Sequence, residues 1–344
     1  MRSSSRRSRP LRALFAAGLA ALAWAPRAEA QQQAQGYALD RLYPSAPGGG
    51  WFVMDALDMH GGLGGTMELT LGYAHDPLRV ASSDGSRRLA IVSDQASADF
   101  GFALTYDRWR LYLNMDAPIG SSGQSGTVDG YQFTAPTVDL TNNPDMLGDT
   151  RVGLDVRLLG KPTSLFRLGV GTQIIIPNGT FADACAHQDP RRCYVSDGTL
   201  RAMDRLLIAG DGGHFTYAGQ LGVHMRPRND APTPEGPQGI ELLFGAAAGA
   251  RFALGARHAL VVGPEIFGAS PLRSLFGSGA TSLEGLLSAR LEGTGDRGAQ
   301  LRVKLGAGAG LVDHLGAPEW RLVLAVEVFD HAEPEETPPA PPPP

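Results

Sequence analysis

The stretch Trp109–Ala117, WRLYLNMDA, alternates strictly between two kinds of side chain. Apolar residues stand at positions 109, 111, 113, 115 and 117, and between them stand Arg110, Tyr112, Asn114 and Asp116. Successive side chains of a β-strand point to opposite faces, whereas a helix would scatter both sets around its circumference. The stretch therefore predicts a strand with one apolar face and one polar face.

The same two-residue period recurs along most of the chain, in segments separated by turn residues. These segments exceed the typical strand of a soluble sandwich and match the about 9 to 11 residues of a tilted membrane strand. We expect an all-β fold, a closed antiparallel transmembrane β-barrel of about twelve strands. A secreted soluble β-protein is an alternative. The expected strands lie within residues 62–329, at 62–74, 88–107, 108–119, 148–160, 164–177, 200–211, 214–226, 239–253, 257–268, 281–293, 299–311 and 319–329.

The links between the expected strands alternate between short and long. Short links such as Asp107–Arg108 and 211–213 are tight turns, whereas long links such as 120–147 and 178–199 are polar and rich in Gly, Pro, Ser and Asn. Bacterial outer-membrane barrels have short periplasmic turns and longer extracellular loops. We therefore predict an outer-membrane location with both termini in the periplasm.

The two ends of the chain differ in composition from the barrel region. Residues 1–30 combine several arginines, a short apolar run and the small-residue pattern Ala28-Glu29-Ala30, which together predict a secretory signal peptide cleaved after Ala30. Residues 330–344 are acidic and proline-rich, and we expect a disordered periplasmic tail. Residues 31–61 are too apolar for a free linker, and they could plug the lumen, cap the periplasmic mouth or form a first hairpin strand.

Charged residues of both signs alternate with apolar residues inside the expected strands, and this alternation turns them toward the lumen. Two interpretations stay open. The charges could line a polar pore, or they could form cross-strand ion pairs that fill and rigidify the interior, which is the usual state of smaller barrels. The expected lumen-facing residues are Arg110, Asp155, Arg157, Glu284, Arg290, Arg302, Lys304, Arg321 and Glu327.

Aromatic residues gather near the ends of the expected strands, where amphipathic rings favour the membrane interface. This group contains Tyr73, Tyr106, Trp109, Phe215, Tyr217, Phe267, Trp320 and Phe329. Phe329 also ends the last expected strand, in a position that outer-membrane assembly machinery commonly reads. We expect Phe329 to be an assembly signal, and an ordinary interfacial ring is the alternative.

The sequence lacks the common catalytic and cofactor-binding motifs, and we expect neither an enzyme nor a bound cofactor or metal. A membrane-embedded hydrolase of the phospholipase type stays an alternative, although none of the eight histidines stands in a Ser-Asn setting. A net charge of -5 spread along the chain argues against nucleic acid as a partner. Cys185 and Cys193 are the only cysteines, and in an exported protein they predict one disulfide.

Several stretches resemble the N-terminal barrel portion of OmpA family proteins from myxobacteria and their relatives. They are residues 36–45, 51–53, 151–160, 241–249 and 316–321, and the resemblance covers most of 36–330. In such relatives a proline spacer leads to calcium-binding repeats and a peptidoglycan-binding domain. This sequence stops at Pro344, so we expect neither calcium binding nor peptidoglycan anchoring. For an outer-membrane barrel we expect outer-membrane lipid, lipopolysaccharide and the barrel-assembly machinery as partners.

Overall fold

The structure is a computed structural model, and its main element is a closed antiparallel β-barrel of twelve strands, as the alternation predicts. The chain from Gln33 onward forms one compact unit. Among the described residues, no helix is long and apolar enough to cross a membrane. The structure describes residues 32–34, 37–139, 147–178, 194–227, 239–255, 258–277, 280–293, 300–312 and 316–331.

We number the barrel strands β1 to β12 in chain order. They are β1 (Leu63–Ala81), β2 (Arg88–Tyr106), β3 (Trp109–Ser122), β4 (Thr150–Leu159), β5 (Arg167–Ile176), β6 (Arg201–Asp211), β7 (Phe215–Met225), β8 (Glu241–Leu254), β9 (His258–Pro271), β10 (Ser282–Gly293), β11 (Gln300–Gly310) and β12 (Trp320–His331). The short elements are the strands Gln32–Gln33, Gly126–Val128, Tyr131–Phe133 and Val138–Asp139, and a 3-10 helix at Leu272–Ser274.

Hydrogen bonding between the last and the first strand closes the barrel. Each strand pairs with its neighbours in sequence, and β12 pairs antiparallel with β1 from Trp320 opposite His75 to His331 opposite Gly64. In hydrocarbon each backbone N–H and C=O must be paired inside the protein, and a sheet without edges achieves this. Because the closed sheet has no edge strand with unpaired backbone groups, the wall can lie in an apolar environment.

The wall separates its side chains into an apolar outer face and a polar inner face. Met67, Leu287 and Leu305 are 58%, 62% and 59% exposed, although they are large apolar side chains. Arg110 and Lys304, by contrast, are each only 1% exposed. Charged residues are almost never fully buried unless they are paired. The interior of the barrel therefore holds paired charges, and beside them lies a buried apolar cluster that includes Trp51, Phe52, Leu207 and Val261.

The links define two ends of the barrel. Strands β2 and β3, β4 and β5, β6 and β7, β8 and β9, and β10 and β11 are joined at one end by short connections, and we call this end the turn end. The other links lie at the opposite end, the loop end, and all of them except the six-residue link 82–87 are longer than the links of the turn end. Most strand bounds agree with the predicted ones to within three residues.

Strand β1 is the largest exception, because it runs to Ala81 rather than ending at residue 74. Its pairing with β2 resumes after a bulge between His75 and Leu78, where Asp76 has a φ of 49°. The polar run at 75–77 resembles a turn in the sequence, but a bulge lets the ladder continue. Since β12 begins opposite His75, the rest of β1 extends past it at the loop end.

The start of the described chain and the end of β12 lie at opposite ends of the barrel. Ala34 donates its backbone N–H to the oxygen of Gln132 at 2.9 Å, and Leu39 donates to the oxygen of Tyr194 at 3.2 Å. Both acceptors belong to links at the loop end, whereas β12 finishes at the turn end. The described chain therefore begins at the loop end, because residues 37–60 run through the barrel, and the prediction that both termini lie in the periplasm stays a prediction.

Two of the rings predicted at the interface face the interior instead. Phe267 is 2% exposed and Phe329 is 6% exposed, and the guanidinium carbon of Arg302 lies 4.9 Å from the centre of the Phe329 ring. Phe329 follows the outward-facing Val328, so the strand alternation turns its ring inward. Phe329 is therefore not an interfacial ring, and its role as an assembly signal stays a prediction.

Some predictions lie outside the described residues. These are the signal peptide with its cleavage after Ala30, the disulfide between Cys185 and Cys193, and the tail from residue 332 onward. Asp330 and His331, which we assigned to the tail, belong to β12.

Candidate functional site in the barrel lumen

Residues 37–60, which we call the lumen segment, pass through the barrel from the loop end to the turn end. At the loop end, Ala38 donates its backbone N–H to Asp197 at 2.8 Å. Arg41 lies 2.9 Å from Glu241 at the start of β8, and Asp40 lies 2.8 Å from a guanidinium nitrogen of Arg321 near the start of β12. The segment therefore enters the barrel tied to several strands by charge-assisted hydrogen bonds.

In the middle of the barrel the wall binds the backbone of the lumen segment. The carboxylate of Glu265 on β9 accepts the backbone N–H groups of Phe52 and Val53, each at 3.0 Å. The ammonium group of Lys304 on β11 donates to the oxygen of Trp51 at 3.3 Å. A buried backbone without partners would cost free energy, so these wall side chains replace water for the segment.

Glycines of the wall make room for the large side chains of the lumen segment. A Cβ atom at Gly249 would lie 2.7 Å from the ring of Trp51, and one at Gly306 would lie 2.7 Å from the ring of Phe52. A Cβ atom at Gly245 would lie 2.4 Å from the terminal methyl of Met54. Inward glycines, which the sequence shows only as gaps in the alternation, are therefore the surface against which the segment packs.

At the turn end, guanidinium groups of the wall hold the last residues of the lumen segment. Arg110 of β3 lies 2.5 Å from the carboxylate of Asp55 and 3.2 Å from that of Asp58. Arg302 of β11 approaches Asp58 from another part of the wall, at 3.6 Å. Arg157 of β4 donates to the main-chain oxygen of Met59 at 2.5 Å. The segment is thus bound at both ends and in the middle.

Ion pairs that do not involve the lumen segment join adjacent strands of the wall or strands separated by one other. Lys304 lies 2.6 Å from Glu327 on β12 and 3.0 Å from Glu68 on β1. Arg205 on β6 lies 3.0 Å from Asp155 on β4, across the intervening strand β5. Pairs of this kind replace the water that the buried charges lose, although each has its own desolvation cost.

The predicted lumen-facing residues are all buried, and none of the nine is more than 6% exposed. The structure divides them into groups rather than one site. Arg110, Arg157 and Arg302 meet at the turn end, and Arg290 lies close by, with its guanidinium 4.7 Å from the Trp51 ring centre. The remaining residues form pairs along the wall, namely Glu284 with Arg321, Lys304 with Glu327, and Asp155 with Arg205.

Several important residues were not among the predicted ones. Glu265 stands between Pro264 and Ile266 in an otherwise apolar strand, and the alternation alone would have turned it inward. Asp99 and Arg151 form another lumen pair, at 2.7 Å. In each case the sequence shows only a single charged residue at an inward-facing position of a strand. Such a residue indicates the face of the sheet on which the side chain lies, but not the residue with which it pairs.

A cleft with a volume of about 80 Å³ lies at the loop end, between the lumen segment and the wall. Its lining is polar and of both signs, with Asp40, Asp149, Arg151 and Arg201 among the contributors. Burial raises the pKa of Asp149 above its ordinary value, against the opposing charge of Arg201. We call this cleft the vestibule. Its acidic and basic side chains already neutralise part of one another's charge.

One group of side chains at the loop end has the composition of a metal site. His75, Asp76 and Glu319 each offer one ligand atom, and these atoms lie within 4.8 Å of one another among the described residues. Arg79 lies 3.4 Å from Glu319 and competes with a metal ion for its charge. Glu319 is exposed, whereas His75 and Asp76 are half-buried, and the group lies apart from the lumen contacts.

Comparison with known proteins finds no matching family model and no matching curated protein. Solved structures do match in shape. An outer-membrane channel from Pseudomonas putida F1 is 12% identical and covers 79% of this chain and 97% of its own, with a TM-score of 0.47. The β-domain of the Bordetella autotransporter BrkA is 15% identical over 77% of this chain and 99% of its own, with a TM-score of 0.38. The CymD monoaromatic hydrocarbon channel is 9% identical over 80% of this chain and 90% of its own, with a TM-score of 0.37. At these identities the likeness concerns the fold alone, and the resemblance to the OmpA family stays a prediction.

Proposed function

We propose that this protein is an outer-membrane β-barrel whose lumen is closed by its own N-terminal segment, and that it passes small solutes when that segment is displaced. The membrane location is supported by the apolar outer face, on which large side chains such as Leu287 and Leu305 stay exposed. A soluble protein rarely exposes a contiguous apolar band of this kind. The alternation of short and long links favours the outer membrane.

The closed state rests on a single observation, the path of residues 37–60 through the barrel. The contacts at Glu241, Glu265 and Arg110 hold this path at the loop end, the middle and the turn end. Unlike a strand of the wall, the segment is held largely by side chains, so it can leave without opening the ladder. This difference supports a removable closure rather than a permanently filled core.

The proposed orientation places the loop end outside the cell and the turn end in the periplasm. β12 then finishes in the periplasm, where the proline-rich tail would follow. Ala34 instead lies on the outer side, next to Gln132. Outer-membrane lipid and lipopolysaccharide would contact the apolar band, and the barrel-assembly machinery would insert the chain.

The test is the ionic current that the mature protein passes in a planar lipid bilayer. The complete chain is compared with a chain in which residues 37–60 are replaced by a Gly/Ser linker of equal length. Migration on a gel before and after heating shows whether each protein is a folded barrel. We expect steady current from the linker chain and only rare openings from the complete chain. Equal currents from both folded proteins would contradict the closure.

A purely structural barrel is the second candidate. Ion pairs between wall residues, such as Lys304–Glu327 and Arg205–Asp155, occupy part of the lumen independently of the lumen segment. In that case the folded linker chain passes no current. We assign no catalytic role to the protein, and a phospholipase assay on the purified barrel tests this point.

A further inference from the structure

We infer that Arg110 and Arg302 form an anion-binding site at the turn end of the lumen, and that carboxylates of the lumen segment occupy this site in the closed state. The inference rests on the proposed function and names its solutes: small anions such as inorganic phosphate or short carboxylates. The segment then closes the barrel by presenting the same chemical group that the open barrel binds.

The geometry at Asp58 carries the argument. Its two carboxylate oxygens are approached by Arg110 at 3.2 Å and by Arg302 at 3.6 Å, from strands β3 and β11. Asp55 adds a second carboxylate at 2.5 Å from Arg110. Two guanidinium groups that converge on one carboxylate match the way in which proteins bind phosphate and carboxylate ligands.

The partners of Arg110 show why this site needs an anion. Its hydrogen bonds within the described chain go to Asp55, Asp58 and the oxygen of Gly48, all in the lumen segment. The neighbouring Arg157 likewise donates to two main-chain oxygens of the segment, at residues 57 and 59. When the segment leaves, both guanidinium groups lose these partners together.

Each wall acid near these guanidinium groups already holds another cation of the wall. Asp155, which lies opposite Arg110 in the sheet, is bound to Arg205 at 3.0 Å through one oxygen, and its other oxygen makes no hydrogen bond within the described residues. Arg302 keeps Glu327 at 2.7 Å and Glu292 at 3.4 Å, although Glu327 also holds Lys304 at 2.6 Å, so Arg110 is the group of this pair that loses all its hydrogen-bond partners. A guanidinium group left without a counter-charge in a narrow lumen is strongly disfavoured, so a small anion from solution takes the vacated place.

The loop end is different. Arg321 contacts Asp40 of the segment, but it also keeps Glu284 of the wall at 2.9 Å. Its charge therefore stays matched when the segment moves. The open barrel therefore selects solutes by the sign of their charge at the turn end rather than at the vestibule.

The site can be tested in the complete chain without opening the barrel. The side chain of Asp58 is 28% exposed, so water reaches the site from the turn end. Replacing Asp55→Asn and Asp58→Asn keeps the shapes of the side chains and removes their charges. We titrate inorganic phosphate into the detergent-solubilised protein and measure binding by calorimetry. Asp58→Asn alone serves where the double variant fails to fold, as judged by heat-modifiable migration.

We expect the double variant to bind phosphate about tenfold more tightly than the unchanged chain, the effect of about one charge-assisted hydrogen bond. Adding Arg110→Gln to the double variant removes the gain. Asp107→Asn, at an exposed acid that pairs with Arg108, is the matched control and leaves binding unchanged. Equal phosphate affinity in the unchanged chain and both charge-removed variants would overturn the inference.

The sign of the ions that carry current distinguishes this inference from the proposed function. In a potassium chloride gradient across the bilayer, the open linker chain should give a reversal potential that favours chloride, and Arg110→Gln in that chain should reduce the preference. An open channel that prefers potassium overturns the anion site while the closure stands. Phosphate binding in the Asn variants with no current from the linker chain supports the site and contradicts the channel.

Discussion

The carboxylate of Asp55 lies 2.5 Å from the guanidinium group of Arg110, and both side chains are buried. Removing one charge from a buried pair leaves the other uncompensated, at a cost of about 3 to 5 kcal/mol, and Asp58 offsets part of it here. We expect Asp55→Asn to raise the fraction of time that the channel is open by at least about tenfold, since about 1.4 kcal/mol corresponds to that factor. Single-channel recording measures this fraction, and Asp107→Asn should leave it unchanged.

The contact between Gly306 and the ring of Phe52 gives a second prediction. Any Cβ atom at residue 306 would lie 2.7 Å from that ring, so Gly306→Val should push the lumen segment out of place. We expect faster proteolysis within residues 37–60 of the folded barrel. Gly285→Ala is the control, because its Cβ atom would make an ordinary contact of 3.4 Å with Leu311. Equal cleavage rates in the two variants would show that the segment does not pack at Gly306.

The alternation of side chains predicts the fold because successive residues of each strand face opposite sides of the wall, one toward lipid and the next toward the interior. Trp109–Ala117 and the other strands are each half apolar for this reason. The same rule turns Phe329 and Glu265 inward, where both are buried, although the aromatic type of Phe329 favours the interface. The rule, applied strictly, predicts the facing of each residue better than its chemical class does.

The path of the lumen segment could not be predicted from the sequence. Its apolar, glycine-rich residues suit a plug, a cap or a hairpin strand equally. The contacts that decide among these, such as Phe52 with Glu265 and Trp51 with Lys304, join residues more than two hundred positions apart. Such pairings depend on the closed barrel, which brings distant strands around one lumen.

The outer face provides a third prediction. Leu287 points outward near the middle of β10, and Leu287→Arg should lower the free energy of unfolding in lipid bilayers by about 2 to 4 kcal/mol. On the surface of a soluble protein the same change is usually worth within about 0.5 kcal/mol. Leu275→Arg, at an exposed residue outside the strands, is the matched control. Urea titration in vesicles measures both, and an equal small effect would favour the soluble alternative.

The orientation of the barrel can be tested by labelling living cells. In a background without Cys185 and Cys193, we expect Ser83→Cys at the loop end to react with a membrane-impermeant maleimide on intact cells. Arg108→Cys, in the exposed turn between β2 and β3, should react only after the outer membrane is permeabilised. An epitope added before Ala34 should be detected on intact cells. The reverse pattern would place the loop end in the periplasm.

The most direct test of the closure is to fix the lumen segment to the wall. A Cβ atom at Gly101 would lie 3.5 Å from that of Pro47, which is within the range of a disulfide. We add Pro47→Cys and Gly101→Cys to the Asp55→Asn variant and record its current in the bilayer under reducing and oxidising conditions. Asp55→Asn alone, treated in the same way, controls for the natural cysteines. We predict that current flows while the engineered thiols are reduced and stops once the cross-link forms. A current that continues unchanged through the fully cross-linked protein would show that residues 37–60 do not close the barrel.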